Sequence, residues 1–124
     1  MDNFHQGGQA IMVDLGTGKM TGSGVDKKLN YSTHSITGIE WDGFAIPYWE
    51  EIKEMVLEAA LVNDKVNIIG WDVAISKNGP LIIESNRGPG WDLVQILLQK
   101  GTKYMLDNLF EDLENDYQKT AAND

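Results

Sequence analysis

The stretch that decides the fold of this chain is IIGWDVAISKNGPLIIESNRGPGWD, residues 68–92. Two short apolar segments flank a Lys-Asn-Gly turn at 77–79, which predicts a β-hairpin. A Gly-Pro-Gly break at 88–90 ends the second strand. Three side chains that carry oxygen atoms interrupt the apolar pattern: Asp72, Glu84 and Asn86. An apolar hairpin does not need them, so they are candidate ligand-binding groups.

The register of the hairpin determines which side chains share a face, and two registers are open. A two-residue turn at 78–79, the usual interpretation of Asn-Gly, would mix Glu84 into an apolar face. A three-residue loop at 77–79, with its glycine left-handed, would pair Ser76 with Pro80. Because a shift of one residue moves every side chain to the opposite face, the register that sorts the side chains better is favoured.

The three-residue loop gives the cleaner sorting. One face then holds only apolar side chains, those of Val73, Ile75, Leu81 and Ile83. The other face holds Asp72, Ala74, Ile82, Glu84 and Asn86. In this register Asp72 lies directly across from Glu84, with Cβ atoms roughly 5 Å apart. Asn86 follows about 6.7 Å along the same strand.

Paired carboxylates at this distance predict a bound cation, because the two groups otherwise repel and raise each other's pKa. The chain has no cysteine, and neither histidine is near the pair in sequence. Oxygen-only ligands select a hard cation, Mg²⁺ or Mn²⁺ rather than zinc. Magnesium is usually held by one or two carboxylates together with substrate phosphates, so the implied substrate is a nucleotide. The alternative interpretation is a solvated hairpin face with ordinary surface acids.

The segment Glu84-Ser85-Asn86-Arg87-Gly88-Pro89-Gly90 resembles the Glu-x-Asn-x-x-Pro-Gly pattern of ATP-grasp ligases, and Gly70-Trp71-Asp72-Val73 resembles the strand that precedes it. Asn3-Phe4-His5-Gln6-Gly7-Gly8 is similar to the Asn-x-His-x-Gly-Gly segment of the glutamate-ligase branch. The order of segments, with Thr37-Gly38 and Ile46-Pro47 between them, is most similar to the sugar-transfer-associated ATP-grasp group. This resemblance runs from about Asn3 to Gln95.

The resemblance implies an enzyme that joins a small-molecule carboxylate to an amine, using ATP and Mg²⁺ (or Mn²⁺) and passing through an acylphosphate. It implies that Asp72, Glu84 and Asn86 hold the metal, with Glu84 bridging two ions and Asn86 also touching the nucleotide. The single arginine, Arg87, is a candidate catalytic residue that would contact a phosphate or carboxylate. A salt bridge from Arg87 to a surface acid is the alternative.

At the other end of the chain, the resemblance places His5 beside the phosphate or acceptor region, as a candidate catalytic residue. Asn3, Gly7 and Gly8 are the candidate cofactor-binding residues, since the paired glycines allow close backbone approach to a ligand. The second histidine, His34, ranks below His5.

The chain departs from the family pattern in one large respect. ATP-grasp enzymes clasp the nucleotide between two halves, and the resemblance covers only the C-terminal one. The upstream lysines have no counterpart, and the arginine expected just ahead of the Asn-x-His segment is missing. We therefore expect an isolated chain to bind Mg-ATP weakly without turnover. We also expect self-association through surface that the absent half would cover. A link to cell-surface polysaccharide synthesis is implied only by the family label.

Composition narrows the function classes. At 124 residues and 42% hydrophobic content, the chain is expected to form one globular domain, 1–124. Its net charge of −9 and single arginine exclude the basic footprint of a nucleic-acid binder. No apolar run approaches the roughly 18 residues of a membrane span. The absence of cysteine and of a signal-peptide pattern fits a cytoplasmic protein.

The remaining pattern predicts an α+β fold with an antiparallel sheet. Strands are expected at 9–15 (with Ile11, Val13 and Leu15 on one face), 19–25, 31–36 and from 65 onward. A helix is expected from Pro47 to about 62, with Trp49, Ile52, Val56, Ala59 and Ala60 as its apolar stripe. Two more helices are expected after 90, the first capped by Gly101 and the second running from Thr102 to about Tyr117, with a frayed tail at 119–124.

A hypothesis from a different class is a noncatalytic binding or interaction module whose acids serve only solubility. A calcium module is disfavoured, because no loop carries ligands at regular alternate positions. Titration with Mg²⁺ or Mn²⁺ separates the first two hypotheses, since only a metal site predicts that the three candidate ligands respond together.

Overall fold

The computed structural model describes residues 4–62, 65–88 and 90–121, and its fold is α+β with antiparallel sheets, as predicted. The chain divides into two compact units, Met1–Gly90 and Trp91–Asp124. The first unit contains both sheets and one long helix, and the second contains two helices. The candidate metal ligands all belong to the first unit.

The first sheet has three antiparallel strands in the order β1 (Ala10–Val13), β2 (Met20–Val25) and β3 (Tyr31–Ser32). The prediction that the first strand reaches Leu15 is wrong. Asp14 accepts the N–H of Thr17 at 2.8 Å and bends the chain into a turn, which leaves Leu15 73% exposed. The predicted return strand is confirmed as β2.

The third strand is much shorter than the predicted 31–36. It ends at Ser32, and the chain then folds into a second turn. In that turn the side chain of His34 accepts the backbone N–H groups of Ile36 and Thr37. These side-chain bonds replace the ladder bonds that a longer strand would have made.

The apolar core of the first unit is small. Val25, at the end of β2, is fully buried, and Ile52 is 8% exposed. Tryptophans fill the space over two glycines: Trp49 lies against Gly18, and Trp41 lies against Gly24. A Cβ on either glycine would collide with the indole, so these positions need glycine for close packing.

Helix α1 (Trp49–Ala60) confirms the predicted helix. Tyr48 is the N-cap residue of the helix and has a left-handed backbone with φ 60. Its carbonyl accepts the N–H of Ile52 at 2.9 Å, but its side chain makes no capping hydrogen bond. The apolar side of α1 and the hairpin line a groove of about 420 Å³, formed by Ile46, Trp49, Ile52, Val56, Trp71, Val73 and Ile75. The apolar stripe of the helix therefore faces this groove, and Ile52 is its buried member.

The hairpin consists of β4 (Gly70–Ser76) and β5 (Gly79–Asn86), paired antiparallel. The expectation that a strand begins at Lys65 is wrong, because β4 starts at Gly70. Beyond the hairpin, the second unit contains α2 (Trp91–Leu98) and α3 (Lys103–Ala121). Among the described residues, no helix is both long enough and apolar enough to cross a membrane.

Within the second unit, both predicted helices are present with altered ends. The left-handed residue after α2 is Gln99, with φ 56, rather than the predicted cap Gly101. Thr102 is only 4% exposed, and its carbonyl accepts the N–H groups of Met105 and Leu106 at the start of α3. Helix α3 extends to Ala121, so residues 119–121 of the predicted tail are helical; 122–124 lie outside the described residues.

Candidate functional site

The hairpin places the two predicted carboxylates opposite each other. Asp72 of β4 pairs with Glu84 of β5, and Gly70 pairs with Asn86. Cross-strand partners share a face, and residues two apart on a strand share a face as well. Asp72, Glu84 and Asn86 therefore lie on the same side of the hairpin, as the sequence predicts.

The turn differs from the predicted three-residue loop. Ser76 pairs with Gly79 instead of Pro80, so only Lys77 and Asn78 lie between the paired residues. Gly79 has φ 115, which agrees with the expected positive φ at this glycine. The side-chain hydroxyl of Ser76 donates to the carbonyl of Gly79 at 2.8 Å and accepts the N–H of Asn78 at 3.1 Å. These two bonds hold the tighter turn.

A bulge compensates for the tighter turn. The register shifts by one residue between Asp72 and Val73, so that Val73 pairs with Ile82 while Asp72 pairs with Glu84. The extra residue on β5 is Ile83. The turn is one residue shorter than predicted, and the bulge adds one unpaired residue to β5. The two changes cancel, so Asp72 keeps its predicted partner.

Between the turn and the bulge, the predicted faces of β5 are wrong. Ile82 pairs with Val73 and belongs to the face that packs toward α1, whereas Leu81 pairs with Ala74 and belongs to the carboxylate face. Leu81 is 55% exposed, in agreement with this position. The cause is the register shift, because one residue of slip exchanges the two faces.

The side chains of the three candidate ligands interact with one another. The Asn86 side-chain amide donates from Nδ2 to Oε1 of Glu84 at 3.1 Å. Desolvation raises the pKa of Asp72 above its usual 3.8, and a hydrogen bond to Glu84 and the negative charge of Glu84 raise it further. The folded hairpin therefore holds Asp72 next to an acid, where a proton or a cation reduces the repulsion.

The donor set fits a hard divalent cation better than a soft one. Two carboxylates and an amide converge on one face, and all three supply oxygen. Over the described part of the chain, no group of three or more His, Cys, Asp or Glu side chains could hold a metal by itself. Asp72 and Glu84 are two such side chains, and Asn86 adds an amide oxygen to them.

A model of the sugar-transfer-associated ATP-grasp family matches residues 1–110 of the chain. The chain belongs to this family. No curated protein and no solved structure was found to match it. The resemblance carried by the Glu84–Gly90 motif is therefore confirmed at the level of the family.

The ATP-grasp motif at the end of β5 continues into Arg87, which is exposed. Among the described residues, no carboxylate forms an ion pair with Arg87. The alternative role considered for Arg87, a salt bridge to a surface acid, is therefore not formed with any described carboxylate. Arg87 directly follows Asn86, so the guanidinium belongs to the same end of the hairpin as the candidate ligands.

The N-terminal candidates lie beside the other sheet. Phe4–Gln6 forms a short 3₁₀ turn just before β1, with the ring of His5 edge-on to Phe4 at 5.6 Å. Gly7 adopts φ 101 and is exposed, whereas Gly8 is buried. Asn3 lies outside the described residues. The structure therefore places His5, Gly7 and Gly8 with the three-stranded sheet and the carboxylates with the hairpin.

Sequence reasoning missed the cavity behind the carboxylate face. It measures about 490 Å³ and is lined by Ala59, Val62, Val66, Ile69, Trp71, Ile82, Ser85, Asn86 and Arg87. Trp71 also lines the groove along α1. The alternation of β4, which puts Trp71, Val73 and Ile75 on one face, was the available signal, and the wrong face assigned to Ile82 obscured it.

Proposed function

We propose that this chain supplies the metal-holding part of an ATP-grasp ligase, with Asp72, Glu84 and Asn86 as the protein ligands of Mg²⁺ (or Mn²⁺). The observation that carries the proposal is the pairing of Asp72 with Glu84 across the hairpin. Family membership supports ATP as the nucleotide.

In this proposal each ligand has a distinct task. Asp72 and Glu84 hold the cation, whose positive charge offsets the repulsion between the two carboxylates. Asn86 orients Glu84 through its Nδ2 donor, which leaves its own amide oxygen as the third ligand. When bound, the cation offsets the charge that develops on phosphate oxygens during phosphoryl transfer.

The ligase step that we propose is the joining of a small carboxylate to an amine or a similar nucleophile. Arg87 would contact a phosphate or the carboxylate, since a guanidinium can bind two such oxygens at once. His5, Asn3, Gly7 and Gly8 stay candidates for the acceptor and phosphate region. A role in cell-surface polysaccharide synthesis, with the reaction in the cytoplasm, is the corresponding proposal for its biological setting.

The complete ATP-grasp fold clasps its nucleotide between two halves, and we assign to this chain the half that carries the metal ligands. Two further expectations follow. The chain alone is expected to bind Mg-ATP weakly and to turn over no substrate, and it is expected to self-associate. ATP hydrolysis by the pure chain, or a strict monomer in size-exclusion chromatography, would count against the respective expectation.

The test is a titration of the isotope-labelled chain with Mg²⁺ followed by NMR. Side-chain signals of Asp72, Glu84 and Asn86 are expected to move together and to saturate. The Glu84→Gln variant is expected to lose at least tenfold in affinity, because a neutral amide replaces a charged ligand.

The matched control is Glu54→Gln, which removes one exposed acid from α1 of the same unit and is expected to leave the titration unchanged. Potassium at equal ionic strength corrects for screening. If the three residues respond independently, or if Glu54→Gln weakens binding as much as Glu84→Gln does, the acids serve only solubility and the noncatalytic module is the better description.

A further inference from the structure

Two turns of the first unit share one hydrogen-bond pattern. They are Asp14-Leu15-Gly16-Thr17-Gly18 and His34-Ser35-Ile36-Thr37-Gly38. In each, the N–H of the last glycine donates to the carbonyl of the first residue at 2.8 Å. The two glycines have nearly equal φ values of 68 and 67.

The closing bonds of the two turns also correspond. Asp14 donates its N–H to the carbonyl of Lys19 at 2.8 Å, and His34 donates its N–H to the carbonyl of Ile39 at 3.0 Å. The hydroxyl of the turn threonine then accepts the N–H of Lys19 or Ile39, at 3.4 Å in both cases. The backbone of the second turn is thus a copy of the first.

The side chain that closes the turn is the difference between them. In the first turn, Asp14 Oδ1 accepts the N–H of Thr17 at 2.8 Å. In the second, His34 Nδ1 accepts the N–H of Thr37 at 3.1 Å and that of Ile36 at 3.3 Å. An imidazole ring nitrogen therefore occupies the acceptor position that a carboxylate occupies in the other turn.

The two acceptors respond differently to acid. A bond from the Thr17 hydroxyl and one from the Thr17 backbone hold the pKa of Asp14 below its usual 3.8, so the carboxylate stays an acceptor at mildly acidic pH. An imidazole nitrogen accepts only while it carries no hydrogen, so the hydrogen of neutral His34 must be on Nε2. A second proton would turn Nδ1 into a donor that faces two N–H groups.

The described surroundings of His34 offer a positive ring an aromatic neighbour, which favours a cation modestly, but no ion-paired carboxylate. The indole of Trp41 lies 5.0 Å away, centroid to centroid. Uncharged Gln9 holds the start of the turn, accepting the N–H of Ser35 at 3.0 Å and donating to the carbonyl of Thr33 at 3.1 Å. On the same segment, Glu40 is exposed and Asp42 accepts the N–H of Gly22. No carboxylate of the described residues is ion-paired with His34.

We propose that the turn 34–38 is a pH-sensitive turn, closed while His34 is neutral and opened when Nδ1 is protonated. Imidazoles as a class change charge between about pH 5 and about pH 8. Opening would release the tip of the turn, where Ile36 is 84% exposed. The inference is independent of the metal site, since it involves none of the candidate ligands.

Amide hydrogen exchange measured by NMR tests the proposal, with the ring signals of His34 recorded in parallel. Between about pH 8 and about pH 5, the protection factors of Ile36 and Thr37 are expected to fall about fivefold, the effect of losing one typical capping bond. Protection of Thr17 should not change, because its acceptor is Asp14. The equivalent turn is thus an internal control for global unfolding.

Exchanging the two acceptors gives matched variants. His34→Asp is expected to keep Thr37 protected at both pH values, and Asp14→His is expected to transfer the loss to Thr17. His34→Ala is expected to leave Thr37 unprotected throughout. The proposal is overturned if Thr37 stays protected while the His34 ring signals report protonation, if the ring stays neutral at about pH 5, or if His34→Asp retains the loss. The wild-type chain and His34→Asp decide the question even if Asp14→His does not fold.

Discussion

At the scale of single residues, the pair of acids at Asp72 and Glu84 is an unfavourable arrangement within the hairpin. The pKa of Asp72 is raised from 3.8 in the folded chain, so folding favours the protonated form. A raised pKa contributes stability that is fully present below pH 3.8 and is lost as the pH rises through the folded value. At neutral pH without a cation, the pair therefore destabilises the fold.

Asp72→Asn is expected to stabilise the metal-free chain by about 0.5 kcal/mol at neutral pH, a small effect because solvent screens an exposed pair. The gain should disappear in acid below the usual carboxyl pKa. Urea unfolding at the two pH values measures it. Glu84→Gln should give a smaller gain, because it removes the repulsion but not the desolvation of Asp72, and the double variant should add little to Asp72→Asn. Additive gains would show that the two acids do not interact.

A second residue-scale prediction concerns Gly18. Its φ of 68 disfavours any other residue, and an added Cβ would collide with the ring of Trp49. Gly18→Ala is expected to cost at least about 2 kcal/mol, from backbone strain and overpacking together. Gly16→Ala is the control, because its Cβ would meet only Asp14 Oδ1 at 3.5 Å. Thermal unfolding compares the two variants, and equal losses would exclude the steric cause.

At the scale of elements, the hairpin shows which strand partners can be predicted from sequence patterns and which cannot. Alternation and the turn residues correctly predicted that Asp72 faces Glu84. They gave the wrong partners for Leu81 and Ile82, because the chain makes a tighter turn and then adds a bulge at Ile83. Two offsetting irregularities leave the distant pair unchanged. The Asn-Gly dipeptide favours a two-residue turn, but no local preference in the sequence predicts the bulge at Ile83.

The turn itself can be tested through Gly79, whose φ of 115 is rarely adopted by other residues, although a Cβ there would meet open space. Gly79→Ala is expected to destabilise the hairpin by about 1 kcal/mol through the backbone alone. The cost should therefore be smaller than that of Gly18→Ala. A circular-dichroism melt gives both values, and a neutral Gly79→Ala would contradict the turn geometry.

Strand and helix ends were the least predictable parts of the fold. Strand β1 stops before Leu15 because Asp14 closes a turn, and β3 stops at Ser32 because His34 closes its counterpart. Apolar alternation continues to Leu15 in the sequence, so periodicity alone extends the first strand too far. Aspartate is a familiar turn-closing residue, but histidine is not, which is why the second turn was the harder to foresee.

At the scale of the whole molecule, the net charge of −9 works against a polyanionic nucleotide. Affinity for ATP must then come from a bound cation and from local contacts. Mg²⁺ is accordingly expected to raise the melting temperature of the chain, and more than KCl does at equal ionic strength. The Asp72→Asn, Glu84→Gln double variant should lose that difference. An equal response of this variant would mean that magnesium acts on the general acidity of the chain.

Crystals of the chain grown with Mn²⁺ and examined by anomalous diffraction test the metal assignment most directly. We predict an anomalous peak at bonding distance from carboxylate oxygens of both Asp72 and Glu84, with Asn86 beside it. The peak should be absent from crystals of the double variant grown in the same way. Manganese bound only at other acids, or Asp72 and Glu84 directed to opposite sides of the hairpin, would contradict the account.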